Sequence, residues 1–456
     1  MEKKYGKPSE DLAHVKLGDT RLDSRLRKTV DAMTENTGSS ILGVCGTRHD
    51  AKAFYALLSS KKFNRELISD AAGQATVSRI RSYGIPEVLL PQDTTDINLN
   101  GHEKTEGLGY SSNQTKGVKV HSCLALTPDG TPVGLLMQQY QTRESAKQSA
   151  PKSELKKRPI EEKESYRWLE TVRGCLALLP ENVKGIVICD REGDFYELYA
   201  EMQALDASFV VRVTQDRLTE CDLRSIQQLR QTPACGTVET TISRNSRKNT
   251  PERQAALEVA YCTVKIKRPK YASSTTPPNL EMTLLRVTET NAEVEPIEWI
   301  LATNISVQDA DSALKAVEYY AHRWKIERFH YILKSGCQAE KIQQRTYEKI
   351  LAVLLIYSII SAFILAMTYF ARNEPNAPCD QFFGEHEWKI LYRLVTRNKT
   401  PPSKPYSLKT AVEYLGELGS FKHSPSDGPY GVKALWLGLS KLFDAIDFAD
   451  RLMGQG

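Results

Sequence analysis

The 456-residue chain is 41% hydrophobic and 26% charged, with a formal net charge of +5. That is the composition of a soluble globular protein of two or three domains, and its mild basic excess permits a nucleic-acid partner without demanding one. Nine scattered cysteines, with no CxxC pair and no zinc-like histidine spacing, exclude a disulfide framework and point to reduced thiols in the cytoplasm.

The start, MEKKYGKPSEDLAHVK, lacks the apolar run of a signal peptide. Helical periodicity follows in Leu22–Thr34 and again in Lys52–Ser60. Arg21, Arg25, Arg27 and Lys28 cluster around the first of these, and Arg48, Lys52, Lys61, Lys62 and Arg65 around the second. Clustered bases on a small helical module suit DNA binding, and equally suit a solvated basic face.

From Val88 the pattern changes to strands. Glu87–Asp93 is a short apolar run ending in a carboxylate. Gly117–Leu126 and Val133–Gln139 flank the turn Pro128-Asp129-Gly130 and predict an antiparallel pair. Gln141–Ser165 is polar and reads as a surface connection, and Tyr166–Leu179 as a helix ended by Pro180. The β-branched run Val183–Asp190 again terminates in Asp, with a helix to about Leu205 and a strand at Ser208–Val213 after it. This order predicts a mixed sheet with helices on its faces.

Residues 214–300 interrupt that order with four β-prone pieces and basic loops, and read as an inserted β subdomain. Its Arg244, Arg247, Lys248, Lys265, Lys267, Arg268 and Lys270 either face DNA or keep the loops soluble. Then comes Tyr320–Lys334, YAHRWKIERFHYILK, fifteen residues free of Gly and Pro and expected to be one helix. At about 100° per residue, Tyr320, Arg323, Glu327 and Lys334 share an arc of roughly 60°, while Ile326, Phe329 and Leu333 face a core. A carboxylate between bases and a phenol suits a cation held beside a gripped phosphate; ordinary i,i+4 surface pairing is the plainer alternative.

Ile350–Ala371 carries no charge over twenty-two residues, enough for a membrane span. With no second span, and directly after the charged stripe, it reads as the buried centre of a large protein, and no membrane partner is expected. Beyond Arg372 a smaller helical part is expected, with helices at Leu408–Leu418 and Val432–Leu452. The last is amphipathic and serves either core or a partner surface.

Asp93 in QDTT, Asp190 in CDREGD and Glu327 in the stripe make an oxygen-rich set of the kind that Mg²⁺ favours. Together they resemble the DDE transposase family, and the Tyr320-x2-Arg323-x3-Glu327-x6-Lys334 spacing resembles the YREK signature of one bacterial insertion-sequence group. LGDTRLDSRL, FVVRV, EWILATN and GVKALWLGLSKL extend the resemblance over nearly the whole chain.

The resemblance implies an α/β fold: a ribonuclease-H-like mixed sheet core with an inserted β subdomain, flanked by helical N- and C-terminal domains. It implies a DNA-end-binding domain at 1–67, a catalytic domain at 68–371 with the insertion at about 214–300, and a dimerisation domain at 372–456. Asp93, Asp190 and Glu327 would be both catalytic residues and ligands of two Mg²⁺ ions, with Mn²⁺ able to substitute. Tyr320, Arg323, Lys334 and Arg212 would grip phosphates, Trp299 and Trp324 would stack on an unpaired base, and Arg21 and Arg25 would bind the DNA end. For Trp299 a core role in IEWILATN stays open. The implied partners are transposon-end DNA with terminal inverted repeats, target DNA, and a second copy of the chain. One departure stands out: Tyr331 occupies a place where a lysine is found in the group.

Overall fold

The computed structural model describes residues 5–38, 41–145, 154, 158–242, 253–290, 296–419 and 430–453. Arg244, Arg247 and Lys248 lie outside them. The N-terminal part holds α1 (Thr20–Glu35), α2 (Ile41–Cys45), α3 (Arg48–Ser59) and α4 (Arg65–Tyr83). Asp19, Thr47 and Asn64 begin α1, α3 and α4 by accepting a backbone N–H at the first turn, and Gly84 ends α4 at φ +63°. The sequence pattern does not reveal α4. Its Ile68, Ala72, Gly73, Thr76, Val77, Arg79 and Ile80 are all buried, so no single apolar stripe marks it.

The strands are β1 (Glu87–Asn98), β2 (Gly117–Leu126), β3 (Pro132–Gln141), β4 (Lys184–Cys189), β5 (Ser208–Arg212), β6 (Gly236–Ile242), β7 (Arg253–Lys267), β8 (Asn279–Glu289) and β9 (Glu298–Thr303). They form one nine-stranded sheet in the order β3-β2-β1-β4-β5-β9-β8-β7-β6. β1–β4 and β4–β5 are parallel and the other pairs antiparallel. The fold is therefore mixed α/β. The β-prone pieces of 214–300 do not make a separate sheet; they prolong the central one through β9, because Val210–Arg212 pairs with Leu301–Thr303. A short helix, α7 (Ser225–Gln231), follows α5 (Tyr166–Leu178) and α6 (Tyr196–Ala204) in chain order.

Side chains alternate across each strand, so the sheet separates two cores. Val88, Leu90, Val187, Cys189, Phe209 and Val211 face Trp168 of α5 and Tyr199 of α6. Leu89, Ile97, Ile186, Ile188 and Val210 face the other core, which also takes in the N- and C-terminal helices. Strands buried on both faces read as continuous apolar runs, which is why GIVIC is recognisable from its composition.

The expected single helix of Tyr320–Lys334 is a composite. α8 (Ala310–Ala321) passes into α9 (Trp324–Tyr331) through a tightened turn, in which Arg323 N–H donates to the Tyr320 carbonyl at 2.9 Å and Ile326 N–H to that of Arg323 at 3.0 Å. These i→i−3 bonds keep right-handed geometry while locally winding the chain more tightly. A π-helical turn, Ile332–Gly336, then carries Lys334. Ile326, Phe329 and Leu333 are completely buried.

α10 (Tyr347–Asn373) is long and apolar enough to cross a membrane, and that apolar stretch is wholly buried inside the protein. Ser358, Ser361 and Thr368 return their hydroxyls to carbonyls four residues back, at 2.8, 2.7 and 2.7 Å, so the buried helix hides no unpaired hydroxyl there. α11 (Glu385–Thr396), α12 (Leu408–Gly419) and α13 (Val432–Met453) complete the fold. Along α13, Leu435, Trp436, Leu439 and Leu442 are core, whereas Phe448 near its end is 65% exposed.

Candidate functional site: a carboxylate cleft at the strand ends

Parallel pairing of β1 with β4 sets Gln92 opposite Cys189, so the next residues, Asp93 and Asp190, lie side by side where that ladder stops. Asp190 follows the end of β4, whereas Asp93, expected at a strand end, lies within β1 opposite Ser122 of β2. Asp190 begins a short 3₁₀ turn and accepts Glu192 N–H at 2.8 Å; Asp93 accepts Thr94 N–H at 2.8 Å. α9 crosses on one face of this end. Its His330 Nδ1 lies 3.9 Å from Asp93 Oδ2, and its Glu327 Oε1 accepts Arg323 Nη2 at 2.7 Å.

Charge crowding is visible in Asp93. Burial first, and Asp190 second, push its carboxyl up to about 7; Arg323 and the Thr94 N–H oppose them, and Glu327 adds a smaller push. Among the described residues no group of three or more His, Cys, Asp or Glu closes into a metal-binding cluster. Glu327 pairs instead with Arg323. The donor chemistry still fits a hard divalent cation: carboxylate oxygens in a mostly buried cleft whose crowded negative charge a cation would relieve.

Arg323 is buried, with its guanidinium 5.8 Å from the Tyr320 ring and 5.2 Å from that of Trp324. Tyr320 meets Trp299 edge to face at 5.2 Å. The Tyr320 hydroxyl, Arg323 Nε and His330 Nε2 are buried without a hydrogen-bond partner, three polar atoms aimed at nothing the protein supplies. Arg212, at the end of β5, donates to the Glu298 carbonyl at 3.3 Å and is close enough to Tyr320 to favour its phenolate. Trp324 is 51% exposed, an available ring face, whereas Trp299 is half-buried.

Lys334 pairs with Glu340 at 3.4 Å and, after burial, is the charge that helps lower the neighbouring His330 imidazole to about 3. Tyr331 packs on Trp436 of α13, ring centroids 5.5 Å apart, so this position serves the C-terminal helix. In α1, Arg21 is exposed and lies 3.6 Å from Asp19, and Arg25 is half-buried. Of the basic residues in 214–300, Lys265 pairs with Glu220 and Glu281, Lys267 with Asp222, and Arg268 caps carbonyls of Ser274 and Thr276.

Sequence reasoning missed His330, which is one turn beyond Glu327 and was legible as the third residue of a turn-spaced set. It also missed Asp194. That carboxylate is wholly buried, pairs with Arg217 at 2.5 Å, and accepts Tyr199 Oη, Thr214 N and Gln215 N at 2.9, 2.6 and 2.9 Å. It ties the Asp190 turn to the chain leaving β5, and nothing in its local sequence distinguishes it from a surface Asp.

Residues 8–63 match the family model described as Transposase DNA-binding, and residues 165–363 match that described as Transposase DDE domain. The chain thus carries the DNA-binding and DDE domains of a transposase. Arg21 and Arg25 fall within the first match and Asp190 and Glu327 within the second, while Asp93 precedes it. Among solved structures, the chain is similar to the piggyBac transposase in a synaptic complex with hairpin DNA, at 8% identity and a TM-score of 0.37, over 83% of this chain and 74% of that one.

Proposed function

We propose that the chain is a cut-and-paste DNA transposase of the YREK insertion-sequence group, working as a homodimer on paired transposon ends in the bacterial cytoplasm. The observation that carries this reading is the pairing of Asp93 and Asp190 side by side where the β1–β4 ladder stops, with Asp93 raised to about 7, close to Glu327 and a buried Arg323. The strand order 3-2-1-4-5, with only β2 reversed, supports a ribonuclease-H-like core. Residues 1–67, 68–371 and 372–456 would serve end binding, catalysis and dimerisation.

Asp93, Asp190 and Glu327 would hold two divalent ions, Mg²⁺ or Mn²⁺. Such ions supply activation of an attacking oxygen and stabilisation of a leaving one. The chain's own groups position DNA. Arg323, Tyr320, Arg212 and Lys334 grip phosphates, and the unpartnered Arg323 Nε and Tyr320 Oη supply donors for them. Trp324 and Trp299 stack on a base turned out of the helix. A nick at each end frees a 3′-hydroxyl, which attacks the opposite strand to close a hairpin; water reopens it, and the 3′ end then joins target DNA. Each step is in-line phosphoryl transfer and needs no protein nucleophile.

The test uses DNA flanking the gene, where terminal inverted repeats provide the substrate. Wild type should cleave and join these ends in Mg²⁺, while Asp93→Asn, Asp190→Asn and Glu327→Gln each bind the ends but leave them uncut. Cleavage by any of the three at the wild-type rate would refute the assignment.

A further inference from the structure

A ring of hydrogen bonds lies behind the two aspartates, on the sheet face opposite α9. It starts at Arg167, the second residue of α5, whose side chain is 10% exposed. Its Nε donates to Thr94 Oγ1 at 3.0 Å, Nη1 to the Glu164 carbonyl at 2.5 Å, and Nη2 to Glu192 Oε2 at 3.0 Å. Thr94 Oγ1 also meets His121 Nδ1 at 2.8 Å, and His121 Nε2 meets Gln92 Oε1 at 3.0 Å. Burial keeps His121 neutral, so Thr94 donates to Nδ1 and Nε2–H donates to Gln92. The ring closes where Gln92 Nε2 donates to Cys189 Sγ at 3.5 Å.

Every member either flanks a cleft aspartate or holds one that does. Gln92 and Thr94 bracket Asp93; Cys189 precedes Asp190, and Glu192 follows it by two. Moreover, Thr94 N–H and Glu192 N–H are the groups that hydrogen-bond the Asp93 and Asp190 carboxylates. One planar guanidinium therefore holds both residues whose backbone orients the two carboxylates. Its donors form a rigid fork, so the separation of Thr94 and Glu192 is fixed to within the play of two hydrogen bonds. The β1–β4 ladder ends at Gln92 and Cys189 while β1 runs on against β2, so no hydrogen bond between β1 and β4 sets that spacing beyond this point.

We infer that Arg167 is a positioning residue that sets the Asp93–Asp190 separation for a divalent cation, through Thr94 on one side and Glu192 on the other. The inference rests on the reading of Asp93 and Asp190 as cation ligands. Partners of ligating groups are worth roughly 10- to 100-fold in metal affinity when lost, and this ring is such a set of partners.

The experiment measures Mn²⁺ binding to the full chain without DNA, by electron paramagnetic resonance of free Mn²⁺, with circular dichroism to confirm folding. Asp93→Asn should lose the site seen in wild type. Arg167→Gln should bind Mn²⁺ about tenfold or more weakly, and Arg167→Lys should fall between, because one ammonium cannot span both partners. Glu192→Gln, on a side chain 59% exposed, is the variant least able to disturb folding. It should weaken binding severalfold, and adding it to Arg167→Gln should cost nothing further. Wild-type affinity in a folded Arg167→Gln, or additive losses in the double variant, overturns the positioning role. Wild-type binding by Asp93→Asn overturns the cation-site reading itself and the inference with it.

Discussion

Arg323 Nη2 lies 2.7 Å from Glu327 Oε1, with the arginine side chain 7% exposed and the glutamate 36%. This buried cation serves two carboxylates at once, since it also lowers Asp93 and so offsets part of the crowding there. Arg323→Met would leave Asp93 and Asp190 facing Glu327 without it. The partial exposure of Glu327 limits the loss, so we expect metal-free stability to fall by about 1–2 kcal/mol in urea unfolding. Cleavage of transposon ends should fall much further, since the variant also lacks Nε, the donor proposed for a phosphate. An unfolding midpoint equal to wild type at pH 8 would show that the pair contributes nothing.

The Tyr320 hydroxyl is buried beside the Arg323 guanidinium, which favours its phenolate, but makes no hydrogen bond of good geometry. A hydroxyl kept for a substrate phosphate costs stability in the free protein, so Tyr320→Phe should leave folding unchanged or stabilise it by up to about 1 kcal/mol. End cleavage should nonetheless slow about tenfold, the worth of one hydrogen bond in the transition state. A destabilised variant that still cleaves normally would assign the hydroxyl a structural role instead.

The central strands and the helical stretch that carries Glu327 were legible because each obeys a short-range period. β4 and β5 are apolar on both faces, β2 and β3 meet at a Pro-Asp-Gly turn, and Glu327 repeats with its neighbours on a helical arc. What was hidden depends on pairing between distant segments. Nothing local says that β9 returns to β5, so the pieces from 214 to 300 read as a subdomain and not as four adjoining strands of one sheet. Small residues concealed α4, which lies so close to β3 that Thr76 Oγ1 donates to the Leu135 carbonyl at 2.7 Å. At the site, Arg167 and His121 come from elements 70 residues or fewer from Asp190 in sequence, yet no motif links them. Tyr331, where the group has a lysine, packs on Trp436, a partner more than 100 residues away that no local pattern announces.

α12 and α13 cross with their backbones in contact. A Cβ on Gly438 would stand 2.0 Å from the Leu415 carbonyl oxygen, and one on Gly419 would stand 1.8 Å from that of Ala434. Neither carbonyl can yield without breaking its helix. Gly438→Val should therefore destabilise the protein by about 3 kcal/mol, the upper range for overpacking, and protease should cut the C-terminal helices first. A variant within about 0.5 kcal/mol of wild type, the scatter of harmless surface changes, would mean that this crossing is looser than drawn.

Asp93 makes the cleft sensitive to pH. Its folded carboxyl titrates near 7, against about 3.9 in an unfolded chain, mainly because of burial and then Asp190. Between those values the native state keeps a proton that the unfolded state has lost. Metal-free stability from this group is thus full below about pH 4 and declines as pH rises through 7. Asp93→Asn should remove that slope and stabilise the metal-free protein at pH 8 by on the order of 2–4 kcal/mol. The same proton competes with a cation for the carboxylate, so Mn²⁺ binding to wild type should weaken about tenfold per pH unit below 7 and level off above it. Thermal unfolding of both proteins from pH 5 to 8, with and without Mn²⁺, reads both effects. Parallel pH curves for wild type and Asp93→Asn would mean that Asp93 is ionised throughout, and that the crowding with Asp190 is already relieved within the protein.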